Sequence, residues 1–409
     1  MPVVVLVGTL DTKGAELRYL RDRVRGAGCE TLVVDCGVRS EDAEADVSAD
    51  EVAAAAGESR AALASAADRG PAVMAMARGT TEIVKRLHAE GRLDGIVGVG
   101  GSGGTSIIAS AMQALPVGVP KLLVSTMASG DTRPYVGTSD IAMLYSVVDI
   151  AGVNQLSERI LANAAGAIAG MTAAAADFRS TLPERPLVAA SMYGVTTPSV
   201  ETARAWLEAH GYEVLVFHAT GSGGRAMEQL IRSGLISGVL DVTTSELTDE
   251  IVGGAFSAGP HRLEAAAAAG IPQVVSLGAA EIGTFGPPDS VPERYRDRLL
   301  YRHNESITLM RISATEATQL GTELARKLNA ATGPVTVCIP TGGLSALSVP
   351  GAVFHDPEAD AALFEALETA LEARVQVVSM ETDINDRSFA TELARRLHDS
   401  LTTAASEPV

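Results

Sequence analysis

At 409 residues, 46% of them hydrophobic, the chain is longer than one typical core and apolar enough to fill two, so two α/β domains are expected. Its 50 acidic against 32 basic residues leave a net charge of −18, a field that repels nucleic acid and anionic membrane and argues against both as partners. Three cysteines, Cys29, Cys36 and Cys338, lack metal-ligand spacing and point to a reducing, cytoplasmic setting.

Met1–Val7 has no basic n-region and no cleavage site, and reads as a first strand. It runs into Gly8-Thr-Leu-Asp-Thr-Lys-Gly14, expected as a polar loop, and then a helix with Glu16, Leu17, Leu20 and Val24 on one face. Within Thr9–Lys13, beside the open end of a parallel strand, Lys13 is placed to neutralise phosphate and Asp11 to hold Mg²⁺ or a ribose hydroxyl, with Gly8, Thr9 and Thr12 beside them. The plainer alternative makes Asp11 a helix cap and Lys13 a solvated charge. Leu32–Val34 is the next strand, with Asp35 at its end. Residues 40–77 break the pattern as two or three inserted helices, either a cover over a ligand cleft or a solvated flap.

Thr80–Glu90 resumes as helix and Asp94–Val99 as strand, followed by a glycine-rich turn into a helix over Ser106–Leu115. Here Gly100, Gly101, Ser102, Gly103, Gly104 and Thr105 let the backbone approach an anion at a helix N-terminus, or else serve close helix–sheet packing. Gly98-x-Gly100-x-x-Gly103 also satisfies a dinucleotide pattern, but no acidic strand end follows about 20 residues on. After the strand Lys121–Ser125, a third loop brings Ser125, Thr126, Ser129, Gly130 and Asp131 to another carboxyl end, so three loops converge on one crevice. Val153–Ala176 reads as a long helix of small residues; its most lipid-like part, Ala162–Ala176, is shorter than the about 20 residues of a membrane span.

The proline-bearing stretch 179–186 is the expected linker between lobes 1–178 and 187–401, with 402–409 a frayed tail. The second lobe repeats the first. Gly79–Gly95 overlays Gly223–Gly238, and Gly118-Val-Pro-Lys-Leu-Leu-Val-Ser overlays Gly270-Ile-Pro-Gln-Val-Val-Ser-Leu. The fold class is therefore α/β, with two doubly wound Rossmann-like lobes of parallel sheet related by an internal repeat, and a helical insertion in the first. In the second lobe, Phe217–Arg225 forms a strand, glycine-rich loop and helix carrying His218, a possible acid/base or a structural residue, and Arg225, an anion clamp. Val239–Glu250 replaces the glycines with hydroxyls and carboxylates, among them Glu246, which suits a hydrophilic substrate or a metal better than a polyphosphate. Ala280–Arg298 is irregular, Ile307–Met310 a strand, and Ser313-Ala-Thr-Glu316 a capping box.

Taken together, GTLDTKGAE, GVGGSGGTS, VSTMASGD, PYVG, SVVDIAGVN, FHATGSGGRAME, TDEIVGG, SAGPHRLEAA and HNESITLMR resemble, in order and spacing, the family of the ATP-binding region of the tomato mosaic virus resistance protein, found mostly as bacterial proteins. The resemblance implies two Rossmann-like lobes, a homodimer, and ATP with Mg²⁺ as ligand. In the plant relatives it implies a following TIM-barrel domain. Asp383, Glu305 and Ser348 depart from the family pattern.

Three functions follow as expectations. In the first, the protein is an ATP-dependent enzyme of small-molecule metabolism, with nucleotide on the first-lobe loops and Lys13, Arg225, His218 and Glu246 acting on a substrate across the cleft. In the second it is a nucleotide-responsive binding module without chemistry. In the third, resting on the loose glycine pattern, it is an NAD(P)-dependent oxidoreductase.

Overall fold

The computed structural model describes residues 1–40, 44–65, 68–181 and 183–406. The chain divides into two compact units, Met1–Leu182 and Pro183–Val409.

The first unit alternates strand and helix: β1 (Val3–Gly8), α1 (Leu10–Gly26), β2 (Glu30–Asp35), α2 (Ala49–Ala55), α3 (Arg60–Ser65), α4 (Arg69–Ala89), β3 (Gly95–Gly100), α5 (Ser102–Gln113), β4 (Lys121–Ser125), α6 (Arg133–Val136), β5 (Ala142–Tyr145) and α7 (Gln155–Asp177). All five strands are parallel, in the order β2-β1-β3-β4-β5. Both faces are covered, which is why β1 and β3 carry no polar side chain. Val4, Leu6, Val97 and Val99 pack under α1 and α7, while Val5, Val7, Val34 and Ile96 pack under α2, α4 and α5. Because α1 leaves β1 toward one face and α5 leaves β3 toward the other, the carboxyl ends of these neighbouring strands open a crevice at the topological switch point.

Three local expectations change. Thr9–Lys13 is not a loop: Thr9 is the N-cap position of α1, and Lys13 interrupts the helix at φ −129°, ψ 20°. The helical part of 40–77 comprises α2, α3 and the start of α4, and α4 runs unbroken into the stretch expected to begin at Thr80. Helix α7 has 23 residues and is long and apolar enough to cross a membrane by length and composition, although the stretch 162–176 alone is too short for that. One stripe of it, Leu161, Ala164, Ala165, Ile168 and Ala169, is buried in the core beneath the sheet.

The second unit contains β6 (Leu187–Met192), α8 (Thr197–Ala209), β7 (Glu213–His218), α9 (Ser222–Arg232), β8 (Gly238–Thr243), α10 (Ser245–Val252), α11 (Ala265–Ala269), β9 (Gln273–Gly278), β10 (Ile282–Phe285), β11 (Leu300–Arg302), β12 (Thr308–Arg311), α12 (Ala314–Asn329), β13 (Val335–Pro340), α13 (Pro357–Ala370), β14 (Gln376–Met380) and α14 (Arg387–Ser406). Its six-stranded parallel sheet is ordered β14-β13-β9-β8-β6-β7, the first unit's order with one strand added. The overlaid glycines confirm the repeat: Gly118 before β4 and Gly270 before β9 both take positive φ, 95° and 69°. The region expected to be irregular, Ala280–Arg298, supplies the short strand β10, and β11 follows just after it; both pair antiparallel with β12. Helix α14 extends to Ser406, past the expected fraying point.

Candidate functional site

A cavity of about 420 Å³ lies at the first unit's switch point, and every residue lining it belongs to that unit. Thr9, Asp11, Thr12 and Lys13 form one side and Gly101, Ser102, Gly103 and Gly104 another. The inserted helices close a third side with Leu63, Ala72 and Val73, so the insertion covers the cavity and is not a free flap.

The glycine cluster divides by task. A Cβ on Gly98 would stand 2.5 Å from Ile108 Cγ2, and one on Gly100 would stand 2.5 Å from Thr105 N, so these two are required for packing. At Gly101, Gly103 and Gly104 a Cβ would meet nothing within 4 Å. Gly101 is the N-cap of α5, with no side-chain cap and no acidic residue in the first turn. Thr105 N donates to Gly101 O at 2.8 Å, the first intrahelical bond, which leaves the Ser102, Gly103 and Gly104 amides as the helix's unpaired donors. They form an electropositive end beside open space.

Lys13 is half-buried, and its ammonium donates to the Ile150 carbonyl while lining the cavity. Asp11 Oδ2 accepts from Arg39 N at 3.1 Å. Behind it Asp35 is buried, accepting from Leu10 N at 3.1 Å and Gly37 N at 2.9 Å. Burial pushes the Asp35 carboxyl above its ordinary range, and the charge of Asp11 adds to this. Cys36, also on the wall, is fully buried, and desolvation raises its thiol so far that it stays protonated. For a magnesium ion the fit is modest: Asp11 is one carboxylate on the wall, which matches the habit of Mg²⁺ of combining one or two carboxylates with water and phosphate. Among the described residues there is no cluster of three metal-ligating side chains.

The remaining loop residues lie elsewhere. Gly8, Gly100, Thr105, Ser125, Thr126, Ser129, Gly130 and Asp131 do not line the cavity. Ser125 and Thr105 are buried and joined Oγ to Oγ1 at 2.6 Å, tying the end of β4 to α5. Asp131 pairs with Arg133 at 2.8 Å in solvent, and the bonds from Arg133 hold its carboxyl at about 2.

The second unit does not gather His218, Arg225 and Glu246. The exposed His218 ring meets the edge of Tyr193 at 5.8 Å, and Arg225 donates to the Ser257 carbonyl at 3.0 Å. Glu246 is wholly buried and fills the second glycine-rich loop from within, accepting from Gly221 N at 2.7 Å and Gly224 N at 3.0 Å. A Cβ on Gly224 would lie 2.0 Å from Glu246 Oε2, which explains that glycine. Glu246 is held by Arg262 Nε at 2.7 Å, and Arg262, 1% exposed, also binds Asp241 at 2.5 Å and approaches Glu228 at 3.5 Å. Burial alone would depress the guanidinium pKa, but these carboxylates raise it well above its ordinary value. The position an anion would take at the start of α9 is thus occupied by the chain's own carboxylate.

Sequence reasoning missed Arg39, Asp68 and Arg69 on the cavity wall, because they sit in the insertion or at its edges, outside any motif. It also missed Asp249, buried beside Glu246 and accepting from Thr284 N at 2.6 Å and Phe256 N at 3.0 Å; desolvation pushes its carboxyl to about 8. Of the family departures, Ser348 has a structural part, its Oγ accepting from Leu344 N at 2.9 Å and Ser345 N at 3.0 Å.

Relatives share this sequence over nearly its full length. A UPF0261 protein of Clostridium tetani is 50% identical over 396 residues, covering 96% of this chain and 98% of that one. The ToMV resistance protein Tm-1(GCR237) of Solanum lycopersicum is 40% identical over 413 residues, covering 96% of this chain and 55% of the tomato protein. Among solved structures, Acinetobacter baumannii MurG aligns over 99% of this chain and 98% of its own, at 10% identity and a TM-score of 0.25, too loose to bear on function. The N-terminal domain of the Uncharacterised protein family (UPF0261) matches residues 2–177 and its C-terminal domain residues 185–401, and the chain belongs to that family.

Proposed function

We propose that the first unit binds a magnesium nucleotide, ATP being the one the resemblance implies, with phosphates on the Gly101–Gly104 amides and Lys13. The observation that carries this is the open space at Gly101, Gly103 and Gly104, since glycines that packing does not need stand where a ligand must approach backbone closely. Asp11 would share the Mg²⁺ with the phosphates, and Val38, Ala72, Val73 and Ile107 offer an apolar wall for the base. The bound metal would supply charge neutralisation, while the chain's own residues orient the phosphates and exclude water. The proposed state is a homodimer. Three buried, unpaired thiols fit a reducing cytoplasm.

An ATP-dependent enzyme of small-molecule metabolism is the first reading of what binding does. A nucleotide-responsive binding module is the second, and the Glu246–Arg262 plug favours it, because that plug removes the anion site expected in the second unit. NAD(P) is the least supported ligand: Gly98 and Gly100 are used for packing, and β4 ends in Ser125 with no carboxylate for a ribose. Calorimetry with ATP, ADP and NAD, each with Mg²⁺, tests the proposal. Saturable binding of ATP is the expected result; binding of NAD alone, or of none, overturns it.

A further inference from the structure

The cavity carries more positive charge than one phosphate cradle requires. Thirteen arginines occur in the first unit. Most have partners: Arg60 on Asp50 at 2.8 Å, Arg133 on Asp131 at 2.8 Å and Arg92 on Glu90 at 3.3 Å are typical. Among the described residues of the first unit, only the guanidinium groups of Arg39, Arg69 and Arg159 have neither an ion pair nor a hydrogen bond, and two of these three line the cavity. In a chain with 18 more acidic than basic residues, two exposed and unpaired guanidiniums lining one cavity are not explained by stability. They arrive from separate places: Arg39 follows β2, and Arg69 opens α4 within the insertion. The carboxylates lining the cavity accept backbone amides and neither pairs with these guanidiniums: Asp11 Oδ2 accepts from Arg39 N at 3.1 Å, and Asp68 caps α4 by accepting from Gly70 N at 2.9 Å.

We propose that Arg39 and Arg69 form a second oxyanion subsite, distinct from the glycine amides and Lys13, so that the cavity takes two anionic groups at once. This rests on the nucleotide reading for the identity of the first group. The guanidinium fork matches the planar pair of oxygens on a carboxylate or phosphate, which a lysine would not do. The second oxyanion comes either from the terminal phosphates of the nucleotide or from the carboxylate of an acidic co-substrate.

Calorimetry on the full chain separates the sources, using R39Q, R69Q and the double variant with ATP, AMP, pyrophosphate, and succinate added to ATP-loaded protein. Both side chains are exposed, so unchanged melting temperatures are expected and certify the fold. If the subsite holds the terminal phosphates, each variant weakens ATP about 10-fold and leaves AMP unchanged. If it holds a co-substrate acid, ATP is unchanged and succinate binding disappears. Wild-type affinity for ATP, pyrophosphate and succinate in the folded double variant overturns the subsite. Should wild type bind pyrophosphate in an Arg39- and Arg69-dependent way but no nucleotide, the subsite stands and the nucleotide reading falls.

Discussion

Replacing Gly103 separates binding from folding because the two effects should have opposite signs. No heavy atom lies within 4 Å of the Cβ position, and the residue sits in the first turn of α5, so Gly103→Ala relieves the backbone-entropy cost of glycine without a clash. The gain is at most about 1 kcal/mol, or about 2–4 °C in melting temperature for a unit of this size, and Gly103→Val should keep a few tenths of it. The added carbons enter the cavity where a phosphate must come within hydrogen-bond reach of the amides. A charge-assisted hydrogen bond is worth about 1.5–3 kcal/mol, so losing one weakens ATP about 10-fold or more. Gly100→Ala is the counter-example: its Cβ would meet Thr105 N at 2.5 Å and Gly104 C at 2.7 Å, both backbone, so it should lower stability. Thermal melts and calorimetry on the same preparations read both quantities. A stable Gly103→Val protein that binds ATP as tightly as wild type would refute the reasoning and leave these glycines without a role in binding.

Lys13→Ala should weaken ATP by about 10-fold or more through loss of an ionised donor, with AMP less affected; equal loss for adenosine, which has no phosphate, would instead show a general disturbance of the wall. Arg262→Met should destabilise the second unit by about 3–5 kcal/mol, because Asp241, Glu246 and Glu228 are left buried without their cation; a denaturant midpoint near wild type would mean that the plug is not structural. At Glu264 desolvation acts to raise the carboxyl, but the bonds from Lys327 and His261 prevail and hold it at about 2, below its ordinary 4.5. A depressed acid contributes stability that is present above about 4.5 and lost as pH falls toward about 2. Glu264→Gln should therefore flatten the acid limb of the second unit's unfolding curve, and an unchanged limb would assign acid lability to other carboxylates.

Much of this was readable along the chain. The runs Val3–Val7 and Asp94–Val99 were visible as strands because parallel strands covered on both faces are apolar throughout. The capping box Ser313–Glu316 was visible because it is local, with Glu316 N donating to Ser313 Oγ at 3.4 Å. Short strands such as β11, three residues long, were not, since three residues carry too little alternation to read even though the partner β12 begins nearby at Thr308. At the site, the loops ending β1 and β3 were legible from glycine, lysine and hydroxyl composition. The third loop looked equally polar, yet Ser125 turns inward to Thr105 at 2.6 Å and the loop leaves the cavity wall.

Periodicity, glycine placement and repeat by themselves determined the two doubly wound units and the position of the first cradle, because those signals are properties of neighbouring residues and of strand ends. Which polar residues face open space was decided only by the tertiary structure. Gly101–Gly104 and Gly221–Gly224 look alike as sequence, but Glu246, 22 residues after Gly224, folds back to fill the second loop, while Arg39 at the edge of the insertion and Arg69 within it line the cavity at the first. Occupancy of a helix N-terminus depends on which distant carboxylate the fold brings to it, and no local pattern encodes that choice.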